Sequence, residues 1–154
     1  MSDDVPSVIP TDPNWQPEPA AGARAAALME TLVPGAPGAV EVDIDVTWQD
    51  MLAFVDCGQN LERIGCPHCG NEIDIEWWGG LMDAHEEGFA TLAVTVPCCG
   101  TATTLDVLEY DWPCGFARFE IAVWNPERIW FTDEELTALA EALGHSVRQV
   151  RAHI

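Results

Sequence analysis

Val40, Val42, Ile44 and Val46 alternate with Glu41, Asp43, Asp45 and Thr47. A period of two puts the apolar set on one face and the polar set on the other, which predicts a half-buried strand. Phe119, Ile121 and Val123 alternate in the same way with Arg118, Glu120 and Ala122, and Asn125-Pro126 ends this second strand. Residues 48–55 fit either a continuation of the first strand or one helical turn. The helical period appears elsewhere. Ala25, Leu28, Met29 and Leu32 stand at i, i+3, i+4 and i+7 behind Pro19, and Pro34-Gly35 stops that helix. Thr132-Asp133-Glu134-Glu135 reads as a capping box for a helix that buries Leu136, Leu139, Ala140 and Leu143 and ends at Gly144. Residues 146–154 read as a last strand, with Val150, Ala152 and Ile154 on one side. Pro6, Pro10, Pro13, Pro17 and Pro19 argue against a central strand near the N-terminus, leaving Ser7-Val8-Ile9 as a short edge strand.

Strand, helix, strand, insert, strand, helix, strand is the order of an α+β, ferredoxin-like split βαβ sandwich with an insertion in its central hairpin. The expected division is a Pro-rich segment at 1–18, a main domain from 19–60 and 113–154, and an insert at 61–112. A hairpin tip tolerates such an insertion because its two strands stay paired.

The insert carries the chemistry. Cys66-Pro67-His68-Cys69-Gly70 opens it and Pro97-Cys98-Cys99-Gly100 follows later. Two thiolates in a tight turn closed by Gly suit a tetrahedral Zn²⁺, and two such turns make one site. Cys99-Gly100 matches the end of a second turn, yet Val96 stands where its first sulfur belongs, so Cys98 has to substitute. His68 and His85 are reserve ligands. A redox CxxC would need a helix running on from its second Cys. Gly70 and the alternating residues 71–77 argue against that and read as a strand over 71–78. A Gly79-Gly80 break, a short helix at 81–87 and strands at 89–96 and 101–105 complete the insert. Its few apolar residues suggest that the metal holds it folded. Residues 61–105 resemble the zinc-ribbon class on these two turns, and the whole chain resembles a group of small bacterial zinc-ribbon proteins. That resemblance implies one structural Zn²⁺ on Cys66, Cys69, Cys98 and Cys99, and it brings no activity with it, because fold does not fix function.

Composition changes the picture chiefly through charge. The 154 residues carry 26 acids against six bases, all Arg, for a net charge of −20. From 64 to 117 there are nine acids and no Arg or Lys. Nucleic acid and anionic membranes are repelled by such a surface, and a basic protein is attracted. No apolar leader follows the acidic Met1-Ser2-Asp3-Asp4, and no run is long enough to span a bilayer, so a cytoplasmic protein is expected. There, six cysteines mean metal or free thiols before disulfides. The absence of Lys beside abundant Ala, Gly and Arg suggests GC-rich bacterial coding.

Two functions compete. One is a non-catalytic interaction module, an adaptor or an immunity-like inhibitor for a basic partner, with Trp77 or Trp78 as anchor beside Glu72, Asp74 and Glu76. The other is an enzyme built on an open Cys₃ zinc, with His85-Glu86 as base, or on a Cys57 thiol. Cys57 and Cys114 flank the insert and are expected either to meet or to be small buried residues. Arg148, Arg151 and His153 form a basic cluster expected to pair with Glu41, Asp43 and Asp45.

Overall fold

A computed structural model describes residues 4–33, 42–55, 61–112, 114–124, 126 and 130–153. Four long strands form one antiparallel sheet: β1 (Asp4–Pro10), β2 (Asp43–Val55), β7 (Gly115–Trp124) and β8 (Val147–His153), in the order β2-β7-β1-β8. The chain leaves β1 through α1 (Pro19–Leu32) and returns as β2, with β7 between the two. It leaves β7 through α3 (Asp133–Leu143) and returns as β8, with β1 between.

Alternation explains the main core. Phe119, Ile121 and Val123 of β7 are fully buried beside Val8 of β1, and Ala25 and Met29 of α1 with Leu139 and Leu143 of α3 close over them. The two helices lie against each other on that face. Gly22 lets α1 approach closely, because a Cβ there would collide with the ring of Trp48 on β2. Trp48 in turn meets Phe119 edge-on and donates through Nε1 to the Pro17 carbonyl at 3.1 Å. The capping box forms as expected, the Glu135 amide donating to Thr132 Oγ1 and the Thr132 amide to Glu135 Oε1. Gly144 ends α3 at φ +90°, the left-handed conformation that glycine adopts without steric cost.

Three expectations about the elements are corrected. β1 lies inside the sheet, not at its edge. Its ladder to β7 is recorded at Ser7 and Val8 only, so Pro6 and Pro10 bracket the contact instead of interrupting it. The buried Ser7 hydroxyl donates to Glu120 Oε2 at 2.7 Å across that contact. Second, the basic residues of β8 cannot pair with Asp43 and Asp45, because β8 and β2 are opposite edges of the sheet. Arg151 instead stands over the rings of Trp112 and Trp130 at 4.9 and 5.1 Å. Glu41 and the side chain of His153 lie outside the described residues.

The third correction concerns the segment between β2 and β7. Residues 75–84 form a helix, α2 (Ile75–Ala84), where a strand over 71–78 was expected. Asp74 caps it by accepting from the Glu76 amide at 3.0 Å. Around α2 stand the short ladders β3 (Ile64–Gly65) with β6 (Glu109–Tyr110) and β4 (Ala93–Thr95) with β5 (Ala102–Thr104). The segment is also better filled than its composition suggests. Ile64, Ile73, Trp78, Leu92, Val96 and Leu105 are buried together, continuous with Leu52 of β2 and Phe116 of β7. Trp78 donates to the Tyr110 hydroxyl at 3.2 Å, which donates to the Leu105 carbonyl at 2.7 Å. The segment therefore has an apolar core of its own, beyond anything a metal would add. No helix among the described residues is long and apolar enough to cross a membrane.

Candidate metal centre

The two cysteine turns have the same backbone. In the first, the Gly70 amide donates to the Cys66 carbonyl at 2.9 Å and the Cys66 amide to the Asn71 carbonyl at 2.9 Å. In the second, the Gly100 amide donates to the Val96 carbonyl at 2.9 Å and the Val96 amide to the Thr101 carbonyl at 3.1 Å. Gly70 and Gly100 sit at φ +75° and +70°, a conformation that strains any other residue. Position for position, Val96 matches Cys66, Cys98 matches His68, and Cys99 matches Cys69.

Val96 is fully buried in the place of a first ligand, and its neighbour Cys98 brings in the missing sulfur. Sγ of Cys69 and Cys98 are 3.5 Å apart, Sγ of Cys66 and Cys99 are 3.8 Å apart, and all four sulfurs lie within 4.8 Å of one another. A tetrahedral ion bound at about 2.3 Å from each sulfur puts the sulfurs about 3.8 Å apart. The four cysteines fit such an ion in number, donor chemistry and spacing, and an all-thiolate set selects a soft or borderline transition metal over magnesium or calcium. The adjacent Cys98 and Cys99 both bring their sulfurs into this cluster, whereas His68, which matches Cys98 in the first turn, stays outside it.

Neither reserve histidine joins the cluster. His68 is exposed at the turn, and His85 stacks on Phe89 with ring centroids 4.6 Å apart while its Nδ1 hydrogen-bonds the Leu81 carbonyl at 2.9 Å. Cys57 lies outside the described residues, and with it any meeting with Cys114. Cys114 itself is buried among Ile9, Val55, Ala117 and Val150.

The sulfurs are electrostatically unequal without metal. The backbone amide of Cys69, seconded by that of His68, overcomes burial and draws the Cys66 thiol down from 9.0 to about 6. Burial, then hydrogen bonding with the neighbouring sulfurs and the negative charge of Cys66, pushes Cys98 up from 9.0 to about 12. Metal takes thiolates, so binding must displace the Cys98 proton throughout the ordinary pH range, and affinity rises with pH. Below about 6 the proton on Cys66 must leave as well. Affinity is therefore expected to fall more steeply with acid there, by about one further proton per metal. Competition titration against a chelator on either side of pH 6 reads this directly.

Of Trp77 and Trp78, one was expected to be exposed as an anchor, and neither is. Trp78 is buried against Phe54, and Trp77 is half-buried on the same core. The exposed apolar side chain at this place is Ile75 at 41%. It stands between Asp74 and Glu76, and all nine acids of residues 64–117 are exposed. Arg63 pairs with Glu72 at 3.5 Å, but both side chains are mostly in solvent and the pair neutralises little. Sequence did hold a signal for α2: Asp74 before an acidic first turn, then Trp78, Leu81 and Met82 at i, i+3 and i+4.

Comparison with known proteins adds no family: no family model, no curated protein and no solved structure matches this chain.

Proposed function

We propose that Cys66, Cys69, Cys98 and Cys99 hold one structural Zn²⁺ in a zinc-ribbon-like insert, carried on the central hairpin of a ferredoxin-like split βαβ sandwich. The protein serves as a non-catalytic, cytoplasmic interaction module, an adaptor or inhibitor that covers a basic protein. The observation that carries this reading is the exposed acidity of residues 64–117, nine acids with no Arg or Lys among them and only the solvent-exposed Arg63–Glu72 pair recorded against them among the described residues. Four thiolates around Zn²⁺ add two further negative charges. Such a surface gains nothing from phosphates and steers basic partners in. The strand order β2-β7-β1-β8 supports the split βαβ reading. Cys98 within reach of the other sulfurs speaks against a three-cysteine zinc with an open position, and so against the enzyme reading.

Ile75, two residues before the half-buried Trp77, is the anchor of the proposed surface, and Glu72, Asp74 and Glu76 are its charged surround. The test is capture of the partner from source lysate, then binding kinetics at low and physiological salt. Screening shortens the Debye length from about 30 Å at 0.01 M to about 8 Å at 0.15 M, so association should slow steeply while dissociation changes little. Glu72→Gln, Asp74→Asn and Glu76→Gln together should slow association. Asn at 74 still caps α2, so the fold is kept. Ile75→Ala should speed dissociation instead. An acidic partner, or kinetics indifferent to both sets of changes, would overturn the interaction reading.

A further inference from the structure

We infer that Cys69 and Cys98 are an oxidisable dithiol, in which a hydroperoxide forms a disulfide between the two turns and the bound metal is released. This rests on the reading of the four sulfurs as metal ligands, and it assigns the cluster a modification site that a purely structural centre does not need.

The four cysteines are unequally exposed. Residues 67–70 and Pro97, Cys99 and Gly100 are exposed, so the two turns meet in solvent. Cys69 is exposed and Cys98 half-buried, and their sulfurs make the shorter of the two recorded contacts between the turns, 3.5 Å. The other contact, Cys66 with Cys99 at 3.8 Å, has one partner sealed in the core at 0% exposure. A reagent from solvent reaches Cys69 or Cys99, and of these only Cys69 has as its recorded sulfur contact a partner, Cys98, that is not sealed in the core. A disulfide needs the sulfurs about 2.05 Å apart, so the exposed Cys69 side chain and the half-buried Cys98 side chain must rotate toward each other. A bond between the adjacent Cys98 and Cys99 would instead close a small ring through their shared peptide and force it from planarity.

The chemistry balances with the hydroperoxide as oxidant. The Cys69 thiolate attacks one peroxide oxygen, the O–O bond breaks, and with hydrogen peroxide hydroxide leaves behind a sulfenic acid. The Cys98 thiolate attacks that sulfur, the S–S bond forms and the S–O bond breaks, releasing a second hydroxide. Two electrons pass from the sulfur pair to the peroxide, and two protons from solvent turn the hydroxides into water. Cys66 and Cys99 then remain as two ligands of the original four, too few to keep the ion against solvent. Cys66 belongs to the buried cluster around Ile73, Trp78 and Leu105 and Cys98 packs on it, while Cys69 and Cys99 do not.

The test uses the full zinc-loaded chain, treated with hydrogen peroxide in increasing equivalents. Free zinc is read with a chromophoric chelator, and disulfides are mapped by mass spectrometry after alkylation of the remaining thiols. About one zinc released per disulfide is expected, with Cys69–Cys98 the first bond formed and both changes reversed by a dithiol reductant. Cys114→Ser should respond as the native chain does. A first bond at Cys98–Cys99 or Cys66–Cys69, or sulfinic acid without a disulfide, would overturn the inference. Zinc below half an equivalent before oxidation would count against the metal reading alone, because the disulfide map still decides the pairing.

Discussion

Replacing Cys66 by Ser is expected to strip the protein of its metal, to below half an equivalent after purification without added zinc. Cys66 is fully buried, and the amides of its own turn favour its thiolate. A hydroxyl there offers no comparable ligand. Binding by structural zinc sites is worth roughly 10–16 kcal/mol in small metal-folded domains, against roughly 5–15 kcal/mol for the whole stability of a typical protein. Even part of that loss is large. The helix-and-sheet core around Phe119, Ile121 and Leu139 uses none of residues 61–112, so far-UV circular dichroism should retain its helical signal while the melting temperature falls. The double change Val96→Cys with Cys98→Ser should keep one equivalent of metal, because it moves the fourth sulfur to the position matching Cys66. Loss of metal from the double change alone would show that the two turns are not equivalent.

Phe116→Ala is expected to destabilise the protein by about 3–5 kcal/mol, the range for emptying an aromatic site in a packed interior. Phe116 is 2% exposed, and its ring meets Phe54 at 5.3 Å and Phe89 edge-on at 5.5 Å. It belongs to β7, yet it is buried with residues of the cysteine-bearing segment, so it joins the sheet to that segment. Urea denaturation should show a lower midpoint. The milder Phe116→Leu should recover most of the loss, since it leaves a smaller void. A change under about 1 kcal/mol for the alanine variant would mean that this contact contributes little.

Where one local rule acted alone, the chain was legible. β7 and α3 carry clean periods with proper ends, and both formed where the pattern put them. α1 follows its period too, starting at Pro19. β1 is not legible from its prolines alone, because a proline bars a ladder bond only at its own amide and the residues in register with β7, Ser7 and Val8, lie between Pro6 and Pro10. α2 was misread because Ile73, Ile75 and Trp77 alternate with acids, and a period of two outweighed the cap at Asp74. Tertiary burial of Trp78 decides in favour of the helix, and no local count contains that contact. At the candidate site all four cysteines were legible from spacing. The substitution of Cys98 for Val96 was legible only as a need, and the common geometry of the two turns shows how it is met.

Zinc K-edge X-ray absorption on protein purified without added metal tests the central claim most directly. The account predicts about one equivalent of zinc, with four sulfurs at about 2.3 Å and no light atom in the first shell. Three sulfurs with a nitrogen or oxygen at about 2.0–2.1 Å, or a chain that carries no metal at all, would contradict it.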